Sequence, residues 1–263
     1  MIKFFRRIRY DLMENNKTGK YLKYAIGEII LVVIGILVAL QINNYNEYRK
    51  DRNKEQIILK QLKEDYEANL EQLEQKMKIR SIIITSAFKI FKYIDHPVEI
   101  NRDSLILNIA NVCNDPTFDP IQNDLINSGN LRLITNENLK RLLSNWSSEV
   151  VAVREIELIW SNNVHQQLGP VIRNLGITRD VVNSFWNDSD QLWLLEKNII
   201  SKNSSFGTSR FSLLVEEILS SRELEGLAAS GVSLNTAANL QSEALLKRIH
   251  EILDEIENEI KYE

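Results

Sequence analysis

At 263 residues, 44% hydrophobic and 26% charged, the chain is long enough to bury a real core and too apolar for a disordered polymer. Residues 1–23 carry seven basic side chains against two acidic ones, whereas residues 47–263 carry 25 against 33; the acidic balance of the larger part argues against nucleic acid as its partner. A single cysteine, Cys113, excludes an internal disulfide framework and a multi-cysteine zinc site, and nine glycines with four prolines favour long helices over turn-rich β architecture.

Residues 2–13, IKFFRRIRYDLM, set Ile2, Phe5, Ile8 and Leu12 on one side of a helix and Lys3, Arg6, Arg7 and Arg9 elsewhere. This pattern predicts a short basic amphipathic helix suited to an anionic membrane surface. From Tyr24 to Ile42 a helix reaches about 28 Å, the thickness of a bilayer's hydrocarbon core, and Ile29 to Leu40 hold no polar side chain. The stretch reads as a transmembrane helix. The basic flank before it sets the orientation: residues 1–23 cytoplasmic, 24–42 in the inner membrane, 43–263 exported to the periplasm. The apolar run is too long for a signal-peptide core and no A-x-A-like site follows it, which favours an uncleaved anchor.

Beyond the span, Tyr45 and Tyr48 suit an interfacial aromatic belt. No Gly or Pro interrupts the chain before Pro97, so the helix is expected to continue outward. Its apolar stripe is Ile58, Leu62, Tyr66, Leu70, Leu73 and Met77, with Lys63, Glu64, Glu67, Glu71 and Glu74 on the solvated face. Pro97 ends it. A short helix from Asp103 to Asn111 follows, with Cys113 beside its apolar face. Asp119 as N-cap and Pro120 at the first helical position predict a further helix reaching Gly129. Thr135 is expected to cap the next, whose stripe is Leu139, Leu143, Trp146, Val150, Val153, Trp160 and Val164, and which should end near Gly169-Pro170. Short helices are expected over Asp180–Trp186 and Gln191–Ile200, and a loop over Lys202–Ser209. The final helical region, Arg210 to Tyr262, is periodic at Leu246, Ile249, Leu253, Ile256 and Ile260. Its small, polar middle, Gly231 to Ser242, predicts a weak or broken helix. The fold class is all-α: one N-terminal transmembrane helix continuing into an exported bundle of roughly six to eight helices.

The opening third resembles a family of single-span, membrane-anchored proteins of Gram-negative bacteria whose function is unknown. The likeness rests on Phe4-Phe5-Arg6-Arg7-Ile8-Arg9, on Lys20 to Ile29 (KYLKYAIGEI) and on Val32 to Asn44 (VVIGILVALQINN), with Ser128-Gly129-Asn130-Leu131 as a second landmark. It implies an anchored helical domain and carries no activity with it.

Chemistry is sparse. Glu28, the one ionisable residue of the span, lies about one turn from the cytoplasmic boundary, where it can pair with Lys20 or Lys23, or with a partner helix. Gly27, Gly35 and Ala39 share a helical face beside Glu28, which points to a homodimer through the span. His96, His165 and His250 are far apart and lack metal-ligand spacing, and no G-x-S-x-G or phosphate loop occurs. No cofactor, metal or catalytic residue is indicated. Trp146, Trp160 and Trp186 are candidates for lining a pocket. Glu157 falls in the stripe of its helix, and the apolar face is expected to shift to Ile156 and Ile159, leaving the acid outside. The resulting expectation is a non-enzymatic interaction or scaffold module of the cell envelope that meets the lipid bilayer and an unknown envelope protein. A small-ligand sensor accessory and a membrane-bound hydrolase are the alternatives. A filled core with an exposed apolar patch would favour the first, a tryptophan-lined pocket the second, and carboxylates converging on a histidine the third.

Overall fold

The computed structural model describes Tyr10 and residues 18–97, 100–122, 125, 128–188 and 206–261. The amphipathic segment expected at residues 2–13 lies outside these except for Tyr10, as does the helix expected over Gln191–Ile200. Among the described residues the regular elements are helical: α1 (Thr18–Asp95), α2 (Arg102–Val112), a 3₁₀ turn (Asn130–Leu133), α3 (Glu137–Asn163), a π turn (Val164–Leu168), α4 (Gly169–Asn174), α5 (Thr178–Asn187), α6 (Val215–Leu219) and α7 (Arg222–Glu259). The protein is all-α.

The chain divides into two compact units, Met1–Ile57 and Ile58–Glu263. In the first, α1 is long and apolar enough to cross a membrane, and its 18-residue apolar window is 0% buried. From Ile29 to Leu40 every side chain stands in the open. A soluble monomer exposes apolar patches of only a few hundred Å².

The second unit is built on three long helices. On α1, Tyr66 stacks edge-on against Trp146 of α3 and Arg80 meets Glu157, so α1 and α3 run parallel. Lys63 of α1 pairs with Glu257 and Arg80 with Asn239, while Asn136 and Glu149 of α3 reach Glu255 and Arg248; α7 is therefore antiparallel to both. Two apolar cores form along this trio. One gathers Leu59, Leu62, Tyr66 and Leu73 of α1, Leu139 to Val153 of α3, Leu245 to Ile256 of α7, and Phe118. The other gathers Ile79 to Ile90 of α1, the inner face of α2, Trp160 to Val181, and Ile218 to Ala228.

Four boundaries depart from the sequence expectation. Asn136, not Thr135, caps α3, accepting from the Leu139 N–H at 3.0 Å. Helical conformation does not stop at Gly169-Pro170: the π turn absorbs one residue, and Pro170 then occupies the first turn of α4, where its missing N–H costs nothing. No helix begins at Pro120. Instead the Asn69 amide bonds both the N–H and C=O of Ile121, at 2.7 and 3.1 Å, and satisfies that residue's backbone from α1. Finally, α7 is unbroken through Gly231–Ser242. The small residues there are required by packing: a Cβ on Gly231 would lie 2.9 Å from the Trp160 ring, and Ala238 and Ser242 are buried.

Candidate functional site: a buried polar layer between two cores

Glu157 is buried, and this corrects the expectation that it would turn outward. Ile159 is the exposed residue and Ile156 is only half-buried. The reason sits on the facing helix. Arg80 occupies the next position of the α1 stripe after Met77, and its guanidinium is 0% exposed against the Glu157 carboxylate at 2%. Arg80 Nη2 donates to Glu157 Oε1, and Nη1 donates to Ser242 Oγ at 2.8 Å and Asn239 Oδ1 at 3.1 Å. Glu157 Oε2 accepts the Phe118 N–H at 2.9 Å. One ion pair thus joins α1, α3, α7 and the 113–121 connection, at the level where one apolar core gives way to the other.

From Phe118 to Ile121 the connection is held by side chains. Glu157 takes the N–H of Phe118, Gln72 Oε1 that of Asp119 at 2.9 Å, and Asn69 that of Ile121; Pro120 between them has none to satisfy. Trp160 Nε1 donates to the Asn114 carbonyl at 2.8 Å. An irregular segment inside a helical domain needs such partners, because every buried backbone group must be satisfied.

Burial pushes the Glu157 carboxyl above its ordinary range, against the opposing pull of Arg80, the Phe118 N–H and Lys76. Desolvation lowers Arg80 and likewise the half-buried Lys76. Lys76 lines a cavity of about 350 Å³ with Ile79, Asn114, Asp115, Thr117 and Phe185. Cys113 also borders it, but its thiol donates to the Ile109 carbonyl at 3.1 Å and burial pushes its pKa up to about 12, so it is not a ready nucleophile. Ser161 Oγ donates to Asp115 Oδ2 at 3.0 Å, and His165 Nε2 meets the same oxygen at 2.9 Å. The hydroxyl donates to the carboxylate and does not meet the imidazole, so the trio lacks the serine–histidine contact of a catalytic triad.

The sequence-derived candidates are dispersed. Trp146 is buried in the first core against Tyr66 and Phe118, and Trp160 in the second against Gly231. Trp186 is partly exposed, edge-on to Phe185. None of the three lines the cavity beside Lys76. A methyl group placed on Gly27 or Gly35 would meet nothing within 4 Å, and Ala39 is exposed. Arg80 escaped the sequence reading altogether. Its signal was a basic residue at a stripe position of one helix and an acid, Glu157, at a stripe position of another.

A family model described only as a family of unknown function, DUF6090, matches residues 28–92. The match spans most of α1, including Arg80, and stops before Glu157 and Ser242. No curated protein and no solved structure matches the chain.

Proposed function

We propose that the chain is a non-enzymatic interaction module of the cell envelope, anchored by one membrane span, with residues 1–23 cytoplasmic and 43–263 periplasmic. The observation that carries this reading is the wholly unburied apolar window of α1, preceded by a flank of seven basic residues against two acidic ones. The helical domain supports it in a second way. Its interior is filled by two apolar cores and a hydrogen-bonded polar layer, while Val151, Leu158 and Ile159 stand exposed on the outer side of α3. The partners this implies are the lipid bilayer, a second copy through the span and an envelope protein on the domain.

Membrane-impermeant thiol labelling of the full-length protein tests orientation. In a Cys113→Ala background, a cysteine at exposed Glu71 should react in intact cells with a permeabilised outer membrane, and one at Asn16 only after lysis. Reaction at Asn16 and not at position 71 in intact cells overturns the orientation.

A further inference from the structure

Lys76 is half-buried and lies within reach of two carboxylates, yet it makes no hydrogen bond or ion pair among the described residues. Both acids are engaged elsewhere. Glu157 gives Oε1 to Arg80 and Oε2 to the Phe118 N–H, and Asp115 gives Oδ2 to Ser161 and His165. Burial holds the Lys76 ammonium below the ordinary lysine range, and the attraction of Glu157 and Asp115 does not offset it. A surface lysine escapes that cost by extending its stem into water, as the exposed Lys78 does two positions on. A charge kept half-desolvated in a cavity wall, with no bonded partner, marks a place where a ligand can supply the missing contact.

The cavity beside Lys76, of about 350 Å³, lies where α1, the 113–117 stretch and Phe185 of α5 come together. Its walls divide by chemistry. Ile79 and Pro116, both buried, and the half-buried Phe185 make an apolar side. Asp115 makes the anionic side. The Ser161 hydroxyl and His165 Nε2, at 3.0 and 2.9 Å, pin its Oδ2, while Oδ1 takes no hydrogen bond among the described residues. Asp115 is near enough to act on the Lys76 charge, but no ion pair joins them. A cation and an anion thus line one small cavity without meeting, and each keeps capacity for a further partner.

We propose that this cavity binds a free α-amino acid, with the ligand's carboxylate on Lys76 and its ammonium on Asp115 Oδ1. A ligand with only a carboxylate would bring a second anion up to Asp115, and one with only an amine a second cation up to Lys76. A zwitterion meets an opposite charge at each end. The cavity volume is at the lower end of the range for small-molecule sites, which suits a ligand of this size, and the apolar side receives its side chain. The proposal does not depend on anchoring: a domain that bound no amino acid would leave the membrane reading intact.

The test is calorimetric titration of the full-length protein in mild detergent with glycine, leucine and phenylalanine, and with the N-acetyl and the amide derivative of each. Saturable binding is expected with at least one of the three amino acids. Its N-acetyl derivative, which lacks the cation, and its amide, which lacks the anion, should each bind about tenfold more weakly or worse. Lys76→Met and Asp115→Asn should each weaken binding about tenfold or more with helical content unchanged: the first removes no hydrogen bond or ion pair among the described residues, and the second keeps an oxygen to accept from Ser161. Absence of saturable binding by all three amino acids, a derivative that binds as tightly as its parent, or undiminished binding by either variant overturns the proposal.

Discussion

Two stretches of α1 share one helical geometry and treat apolar surface in opposite ways. From Ala25 to Ile42 the apolar side chains cover every face and none is buried. From Ile58 to Asp95 they form a stripe whose members, Leu59, Leu62, Leu73, Ile83 and Ile90, are fully buried, while Glu64, Glu67, Glu71 and Glu74 stay in solvent. Apolar content alone therefore does not mark a core. The candidate span is marked by its lack of a polar face, and the core helix by having one. A charge on the apolar face then carries different weight in each: in the second stretch, Arg80 is the residue around which three other elements are arranged.

The largest expected effect comes from breaking that arrangement. Arg80→Met leaves Glu157 buried without its counter-ion and should destabilise the domain by about 3–5 kcal/mol; Glu157→Leu should do the same to Arg80. Arg80→Met combined with Glu157→Leu should recover most of the loss, since two apolar side chains need no partner. Chemical denaturation of all four proteins checks this, and a double variant as unstable as the singles would show that the pair holds the 113–121 connection in a way no apolar contact replaces. The same set reports on pH. The folded carboxyl of Glu157 lies above the ordinary glutamate value of about 4.3, so the folded state holds its proton more tightly than the unfolded one. Its stabilising contribution is full below that value and is lost as pH rises through the folded one. The native protein should lose stability relative to the double variant over that rise.

A smaller effect separates two glycines of α7. Gly231 faces the Trp160 ring, whereas Gly226 has nothing within 4 Å of the position a Cβ would take. Gly231→Val should cost about 1–3 kcal/mol by overpacking. Gly226→Ala should instead stabilise by up to about 1 kcal/mol, since alanine gives up less backbone freedom in a helix. Thermal unfolding of both variants decides it: shifts of the same sign would mean that Gly231 is not there to admit the ring.

The helices were legible because periodicity reports a face: the stripe of α3 holds residue for residue, whereas on α1 Leu62, Tyr66 and Leu73 are buried but Ile58, Leu70 and Met77 are only half-buried, the face being centred closer to Leu59 and Asn69. What could not be read was any feature that depends on the facing element. Glu157 looked like a residue to be turned outward because Arg80, 77 positions earlier, was invisible from α3. Gly231 to Ser242 looked weak because helix propensity is a local quantity, and the close approach of Trp160 that rewards small residues is not. Pro120 promised a helix start, but Asn69 and Gln72 captured the backbone of that segment from α1.

The least energetic prediction concerns the first stretch of α1, where no core exists to reward packing. Gly27, Gly35 and Ala39 recur at intervals of eight and four, so they lie along one side of the helix, with Leu31 between them. In lipid there is no hydrophobic drive to bring helices together, so association rests on how closely two backbones can approach. Small residues permit that approach, and leucine at the same positions forbids it. In the domain the counterpart is Gly231, where the space is already filled by Trp160; in the span the space beside Gly27 and Gly35 is open within one chain. If a second copy fills it, full-length protein carrying Gly35→Leu and Ala39→Leu together should lose about 1 kcal/mol of association, roughly a fivefold weakening. Energy transfer between labelled copies in bilayers, measured as the protein is diluted with lipid, gives that difference directly. A doubly substituted protein that associates as tightly as the native one removes this face from consideration and leaves any self-association to the helical domain.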